Sequence, residues 1–343
     1  MKKLLDYLAT WPEDGRFPDP NAPYHTLQKI GGGANNILYK VSGDAGDLAV
    51  KFTLRDGRNR ARREFQALQA IQAHGLAIAP EPILLDESSY AQPVVVQSWL
   101  EGEVTAVPPQ TDADWHKLVQ HHVLLRQIRL ENTPVKLAMG VVNFNGLADG
   151  LAQMQQQCAT IPPEAQPAAL KELMQWANHL PDDLPPAPLA LCRVDANTLN
   201  FVRRAGAWAS VDWENSGWGD PAFEMADLIT HPAYLDVLPA RWAWVAELYG
   251  ELVGEGTAVP RIKTYTSLML IWWVARLARA LYEIPRGLDE RLVPRDPNWQ
   301  QQAEQKLAIY TARAFTAITP PRNRGFFPRF GARKLSISFD YSK

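Results

Sequence analysis

The chain has 343 residues, 46% of them hydrophobic and 21% charged, with a formal net charge of −2 at pH 7. These are values of a soluble globular protein of about two domains or lobes, with no basic footprint for nucleic acid and no broad attraction to anionic lipid. The two cysteines, Cys158 and Cys192, show neither metal spacing nor a disulfide framework, so a reducing cytosol is the expected compartment.

Residues 1–23 read as a short helix and a Pro/Asp-rich lead-in. Asp6 and Trp11-Pro-Glu-Asp-Gly interrupt the basic start, which excludes a signal-peptide core. No uncharged apolar run approaches the roughly 20 residues of a membrane span. From Tyr24 the pattern turns β-like. Leu27-Gln-Lys-Ile30 runs into Gly31-Gly-Gly33, and Ile37-Leu-Tyr-Lys-Val41 and Leu48-Ala-Val-Lys-Phe52 follow as strands. Arg58 to Ala73 has helical spacing, with Phe65, Leu68 and Ile71 on one side. Ile83-Leu-Leu85 and Val94-Val-Val96 make five strands, the last an apolar run suited to a buried centre.

After Gly102 the composition becomes helical, over Asp112–Arg129, Leu147–Gln157 and Pro167–Leu180. A Pro-rich connector at 181–188 leads into a short strand, Leu189-Ala-Leu191. Leu199–Arg203 and Ala207–Asp212 form a hairpin around Ala205-Gly206. Helices continue to about Ile318, and residues 319–343 read as an arm or a disordered tail.

Chemistry concentrates in Asp195-Ala-Asn-Thr-Leu-Asn200 and in Asp212, which ends an apolar strand. This spacing is a phosphoryl-transfer layout: Asp195 accepts a hydroxyl proton, while Asn200 and Asp212 offer oxygen ligands to Mg²⁺ on ATP phosphates. His116, His121 and His122 lack the spacing of a helical zinc site and read as a packed or solvated face.

The order of strand, Gly-rich turn, Lys-bearing strand, helix, strands, then a helical half with an Asp loop resembles the protein-kinase-like fold. It resembles most the aminoglycoside phosphotransferase and choline kinase superfamily of small-molecule kinases, over residues 24–285. Gly31-Gly-Gly-Ala-Asn-Asn36 is similar to that superfamily's Gly-Gly-x-x-Asn turn. Lys51 in Leu-Ala-Val-Lys-Phe is similar to the kinase lysine strand, and Val211-Asp-Trp-Glu214 to the Ile-Asp-Trp/Phe-Glu signature. The absence of Asp-Phe-Gly and Ala-Pro-Glu sets protein kinases aside.

The resemblance implies an α+β, protein-kinase-like two-lobed fold, with a small five-stranded antiparallel β lobe and a larger, mainly helical lobe. A lead-in at 1–23 would precede a nucleotide-binding lobe at 24–100 and a helical lobe at 101–318. It further implies an ATP-dependent kinase, or one using another nucleoside triphosphate, that phosphorylates a hydroxyl on an amino alcohol, an aminoglycoside or a sugar-like molecule. Gly32, Gly33 and Asn36 would cradle phosphates, and Lys51 would hold them, oriented by Glu64. Gln97 and Trp99 would form the hinge against the adenine. Asp195 would be the base, with Asn200 and Asp212 on magnesium. Glu224 and Asp227 face either the acceptor or solvent, and Asp220 caps the next helix. The pattern departs from the superfamily at Arg193 and Asn197, which stand where it has histidines. An arginine beside Asp195 lowers its pKa and weakens it as a base. That departure keeps open a second class, a catalytically silent nucleotide-binding regulatory module.

Overall fold

A computed structural model describes residues 1–31, 35–181, 184–186 and 189–319. The expected phosphate turn at Gly32 and Gly33 and most of the expected tail lie outside the described residues. Elements run in the order α1 (Lys2–Leu8), β1 (Gly15–Arg16), β2 (Tyr24–Ile30), β3 (Asn36–Gly43), β4 (Leu48–Thr53), α2 (Arg60–Ala73), β5 (Pro82–Asp86) and β6 (Val94–Ser98). Then come α3 (Asp112–Leu125), α4 (Leu147–Ala159), α5 (Ala168–Ala177), β7 (Ala190–Cys192), β8 (Phe201–Val202), β9 (Ala209–Ser210) and β10 (Gly217–Gly219). Four helices close the described chain: α6 (Pro221–Thr230), α7 (Pro239–Val253), α8 (Ala258–Glu283) and α9 (Trp299–Ile318).

The first part is an antiparallel sheet in the order β1-β2-β3-β4-β6-β5. It has six strands where the sequence predicts five. The added strand, β1, is only Gly15–Arg16, pairing with Leu27 and Thr26 at the sheet edge. Two residues carry no readable alternation, so pattern alone misses it. Alternation in β4 does the rest. Val50 and Phe52 are fully buried on one face with Val94 and Val96. That face is covered by Leu4, Leu5 and Leu8 of α1, so the short N-terminal helix closes the sheet's back. Lys51 points to the other face, where α2 lies.

α2 serves both halves. Its Ala67, Leu68, Ala70 and Ile71, spaced at helical period, share one cluster with Leu125, Ile128, Leu191, Trp213 and Trp218 of the helical part. That part is built around α8, which contacts α4, α5, α6, α7 and α9. Between sheet and helices sit two short antiparallel pairs, β7 with β10 and β8 with β9. They present the loops after β7 and after β9 at the cleft. α3 stops at Leu125, short of the predicted Arg129, because Gln127 and Ile128 bond back to Leu124 and Leu125 as turns. No described helix is long and apolar enough to cross a membrane.

Candidate active site

Lys51 is 5% exposed and stands between the two parts of the chain. Its Nζ lies 2.7 Å from Glu64 Oε2 of α2, contacts Asp212, and is 3.7 Å from Glu214 Oε2. Glu214 is held in turn by Arg60, which also bonds Asp56 at 3.0 Å. Three carboxylates thus crowd two cations. Burial, then the Asp212 and Glu214 charges, push Glu64 up to about 7 against the pull of Lys51. The same carboxylates hold the Lys51 ammonium well above its usual range despite burial.

Asp195 and Asp212 both have left-handed backbones, with φ of 79° and 63°, and so does Val194 at 59°. A β-branched residue at positive φ is strained. The strain is held by two buried carboxylates of α6. Glu224 accepts the N–H groups of Arg193 (2.9 Å) and Val194 (3.0 Å). Asp227 accepts those of Asp195 (3.1 Å) and Ala196 (3.0 Å). The two therefore face neither acceptor nor solvent: they clamp the loop backbone. Asp220 caps α6 through Ala222 N–H (2.9 Å) and is fixed by Arg261 and Tyr265.

Asn200 donates its amide to the Asp195 carbonyl at 3.4 Å, and its side-chain oxygen accepts no hydrogen bond among the described residues. Glu64 Oε1 and Glu214 Oε2 are buried without a hydrogen-bond donor among the described residues. No three Asp, Glu, His or Cys side chains form a ready metal cage among the described residues. The oxygen donors and excess negative charge nonetheless fit magnesium, a hard cation that keeps part of its shell for water and phosphate.

Two further residues matter here: Glu214, which the sequence reading gave as the last residue of the Val211–Glu214 signature, and His231, which it passed over. His231 Nε2 lies 3.3 Å from Asp195 Oδ1. Its Nδ1 accepts the Ala233 N–H at 3.2 Å, so the neutral ring carries its proton on Nε2, toward Asp195. Burial raises the Asp195 pKa, but the His231 contact, then the Arg193 charge, bring it below the usual carboxylate range. Arg193 acts here mainly as structure. It is 1% exposed, bonds the Val211 carbonyl at 3.2 Å and stacks on Phe201 at 4.9 Å.

In the sheet half, Asn36 opens β3 opposite Thr53, and its side-chain oxygen is buried without a partner. Gln97 is buried in β6, and its Oε1 also lacks a donor. Trp99 donates its backbone N–H to Asp47 at 2.9 Å, and Lys40 lies over its ring. His121 and His122 are buried. His121 bonds Ser210 and the Trp208 carbonyl, and His122 lies 3.5 Å from Glu224, so both serve packing.

Comparison with known proteins fits this geometry. The model of the phosphotransferase enzyme family matches residues 26–252. A choline/ethanolamine kinase family protein from Mesorhizobium loti superposes with a TM-score of 0.62 at 17% identity, over 93% of this chain and 95% of that one. A spectinomycin phosphotransferase solved with ADP and spectinomycin gives 0.60 at 12% identity, over 92% and 98%. Choline kinase LicA from Streptococcus pneumoniae gives 0.56 at 15%, over 91% and 98%. These likenesses establish a shared fold. No curated protein matches the sequence.

Proposed function

The chain belongs to the phosphotransferase enzyme family, and from that premise we propose that it is an ATP-dependent small-molecule kinase. The observation that carries this reading is Lys51 in contact with both Glu64 and Asp212, one carboxylate from each half of the molecule. The sheet half, about 24–100, takes the nucleotide, and the helical half, about 101–318, supplies the catalytic loop and the acceptor. Gly32, Gly33 and Asn36 cradle the phosphates, Lys51 holds them, and Glu64 orients Lys51. The unpartnered Gln97 Oε1 and the backbone around Trp99 meet the base.

Asp195 takes the proton from an acceptor hydroxyl. The freed oxygen forms a bond to the γ-phosphorus, the bond from that phosphorus to the β,γ-bridging oxygen breaks, and the nucleoside diphosphate leaves with its electron pair. Asn200 and Asp212 would hold magnesium, which when bound offsets the charge of the phosphates. Cys158 and Cys192 are free and buried, which suits a reducing cytosol.

The test is ATP- and magnesium-dependent phosphate transfer across alcohols of different charge, run beside the Asp195→Asn variant. Loss of a general base costs about 10²–10⁴ in rate, and nucleotide binding should persist. Near-wild-type turnover in Asp195→Asn would remove Asp195 from the base role. Stabilisation by ATP without transfer to any acceptor would favour the silent nucleotide-binding module instead.

A further inference from the structure

α8 stands beside His231, the neighbour of Asp195. Trp273 of that helix sets its ring 6.0 Å from His231, the residue beside Asp195, and stacks on Tyr310 of α9 at 5.4 Å. Arg276 lies three residues on, on the same helix face as Trp273. It is half-buried, and among the described residues its guanidinium has no carboxylate and no hydrogen-bond acceptor. The Trp273 indole N–H is likewise buried without an acceptor. Across the cleft, Arg58 precedes α2 and also has no carboxylate partner among the described residues.

The nearby acids are already engaged. Glu283 takes Arg279 at 2.8 Å, Asp289 takes Arg295, and Glu214 takes Arg60 and Lys51. Burial, then the like charges of Arg279 and Arg58, hold Arg276 below its usual range against the pull of Asp289 and Glu283, neither of which is within salt-bridge distance of it. A guanidinium does not escape such a position by losing its proton. With those acids paired, the polar groups of this helix face left without partners among the described residues are donors, the Arg276 guanidinium and the Trp273 indole N–H. A polycationic or quaternary-ammonium substrate would meet repulsion here, whereas a carboxylate or phosphate would take the guanidinium fork bidentately.

Resting on the kinase reading above, we propose that the acceptor is a small alcohol bearing an oxyanion, a carboxylate or a phosphate, which Arg276 holds while the hydroxyl faces Asp195. Arg276 is thus a specificity residue. The transfer balances as before: the hydroxyl proton passes to Asp195, and the phosphoryl group passes from ATP to the alcohol oxygen.

The test uses the full chain with four matched probes: glycerate, glycerol 3-phosphate, glycerol and ethanolamine. Transfer from ATP with magnesium is measured, together with the melting temperature of each mixture with a non-hydrolysable ATP analogue. One or both anionic probes should exceed glycerol and ethanolamine in kcat/KM by about ten- to a hundredfold, the worth of a charge-assisted bidentate contact. Which of the two wins separates carboxylate from phosphate. Arg276→Ala should raise the acceptor KM by a similar factor and leave the ATP KM within about twofold, with partial recovery in Arg276→Lys. Preference for ethanolamine, or parity with glycerol, overturns the oxyanion site while leaving the kinase reading standing. Stabilisation by an anionic probe that vanishes in Arg276→Ala, without transfer to any probe, keeps the oxyanion site and removes the kinase reading. Neither transfer nor stabilisation with the anionic probes overturns the oxyanion site.

Discussion

The proposed base role of Asp195 requires that one of its oxygens stay turned toward the acceptor, and His231 is placed to keep it so. The imidazole is fixed from behind by the Ala233 N–H and flanked by Trp273, which leaves Nε2 3.3 Å from Asp195 Oδ1. The Asn197 N–H also reaches Oδ1, at 3.3 Å. Both donors sit on one oxygen, and the other is left for chemistry. His231→Phe should lower kcat by about tenfold, the worth of one hydrogen bond to a charged group, with the ATP KM unchanged. His231→Gln keeps an N–H donor and should recover most of the rate. Steady-state kinetics on both variants decide it: equal losses in the two would reduce His231 to packing. Asp195, Asn200 and Asp212 could be picked out as candidates because the proposed chemistry is written in short spacing. His231 was not, because 36 residues separate it from its partner. The only available signal was indirect: Arg193 and Asn197 stand where histidines were expected, and a base needs an orienting donor from somewhere.

Between residue and fold, the decisive element is α6, whose Glu224 and Asp227 lie three apart and so share one face. Together they accept four consecutive N–H groups, Arg193 to Ala196, and hold the strained backbone of Val194 and Asp195. Burial, against the pull of His231 and with the charges of Glu224 and Asp195 adding to it, pushes Asp227 from 3.8 up to about 6. A carboxyl whose folded pKa is raised stabilises the fold below its unfolded pKa. That contribution is lost as pH climbs from about 4 to about 6, a swing of about 3 kcal/mol. Asp227→Asn keeps one acceptor oxygen and removes the titration. Its stability relative to wild type should therefore improve from pH 4 to pH 7, by up to that amount. Melting temperatures over that range check the sign, and a gap that widens with pH would show that Asp227 is stabilised as the anion. The helix itself was readable from Asp220-Pro221, a cap followed by a first-turn proline. The direction of its acids was not, since spacing places them on one face without saying what packs there. The edge strand β1 escaped for the opposite reason, being too short to show a pattern.

At the scale of the whole molecule, the two halves meet through charge as much as through the apolar cluster under α2. Lys51 and Arg60 come from the sheet side, and Asp212 and Glu214 from the other. Arg63 adds bonds to the carbonyls of Met139 (2.6 Å) and Ser216 (3.1 Å). The order of strands and helices was legible along the chain. These crossings were not: Arg60 and Glu214 are 154 residues apart, and nothing local links them. Burial, and then the Asp212 and Glu214 charges that the two cations do not fully offset, put Glu64 near 7. A divalent cation relieves that excess, so magnesium and nucleotide should bind cooperatively, with Asp212 as the coupling group. In wild type, adding magnesium to ATP at about 100 times the dissociation constant should stabilise the fold by about 2.7 kcal/mol. Asp212→Ala leaves Lys51 paired with Glu64, so the unliganded protein should still fold. The shift with ATP and magnesium should fall to that seen with ATP alone. Thermal melts of both proteins with ATP, with magnesium and with both are the measurement. A magnesium-dependent shift that survives in Asp212→Ala would move the metal to Glu214, whose Oε2 is the other buried carboxylate oxygen beside Lys51 without a hydrogen-bond donor.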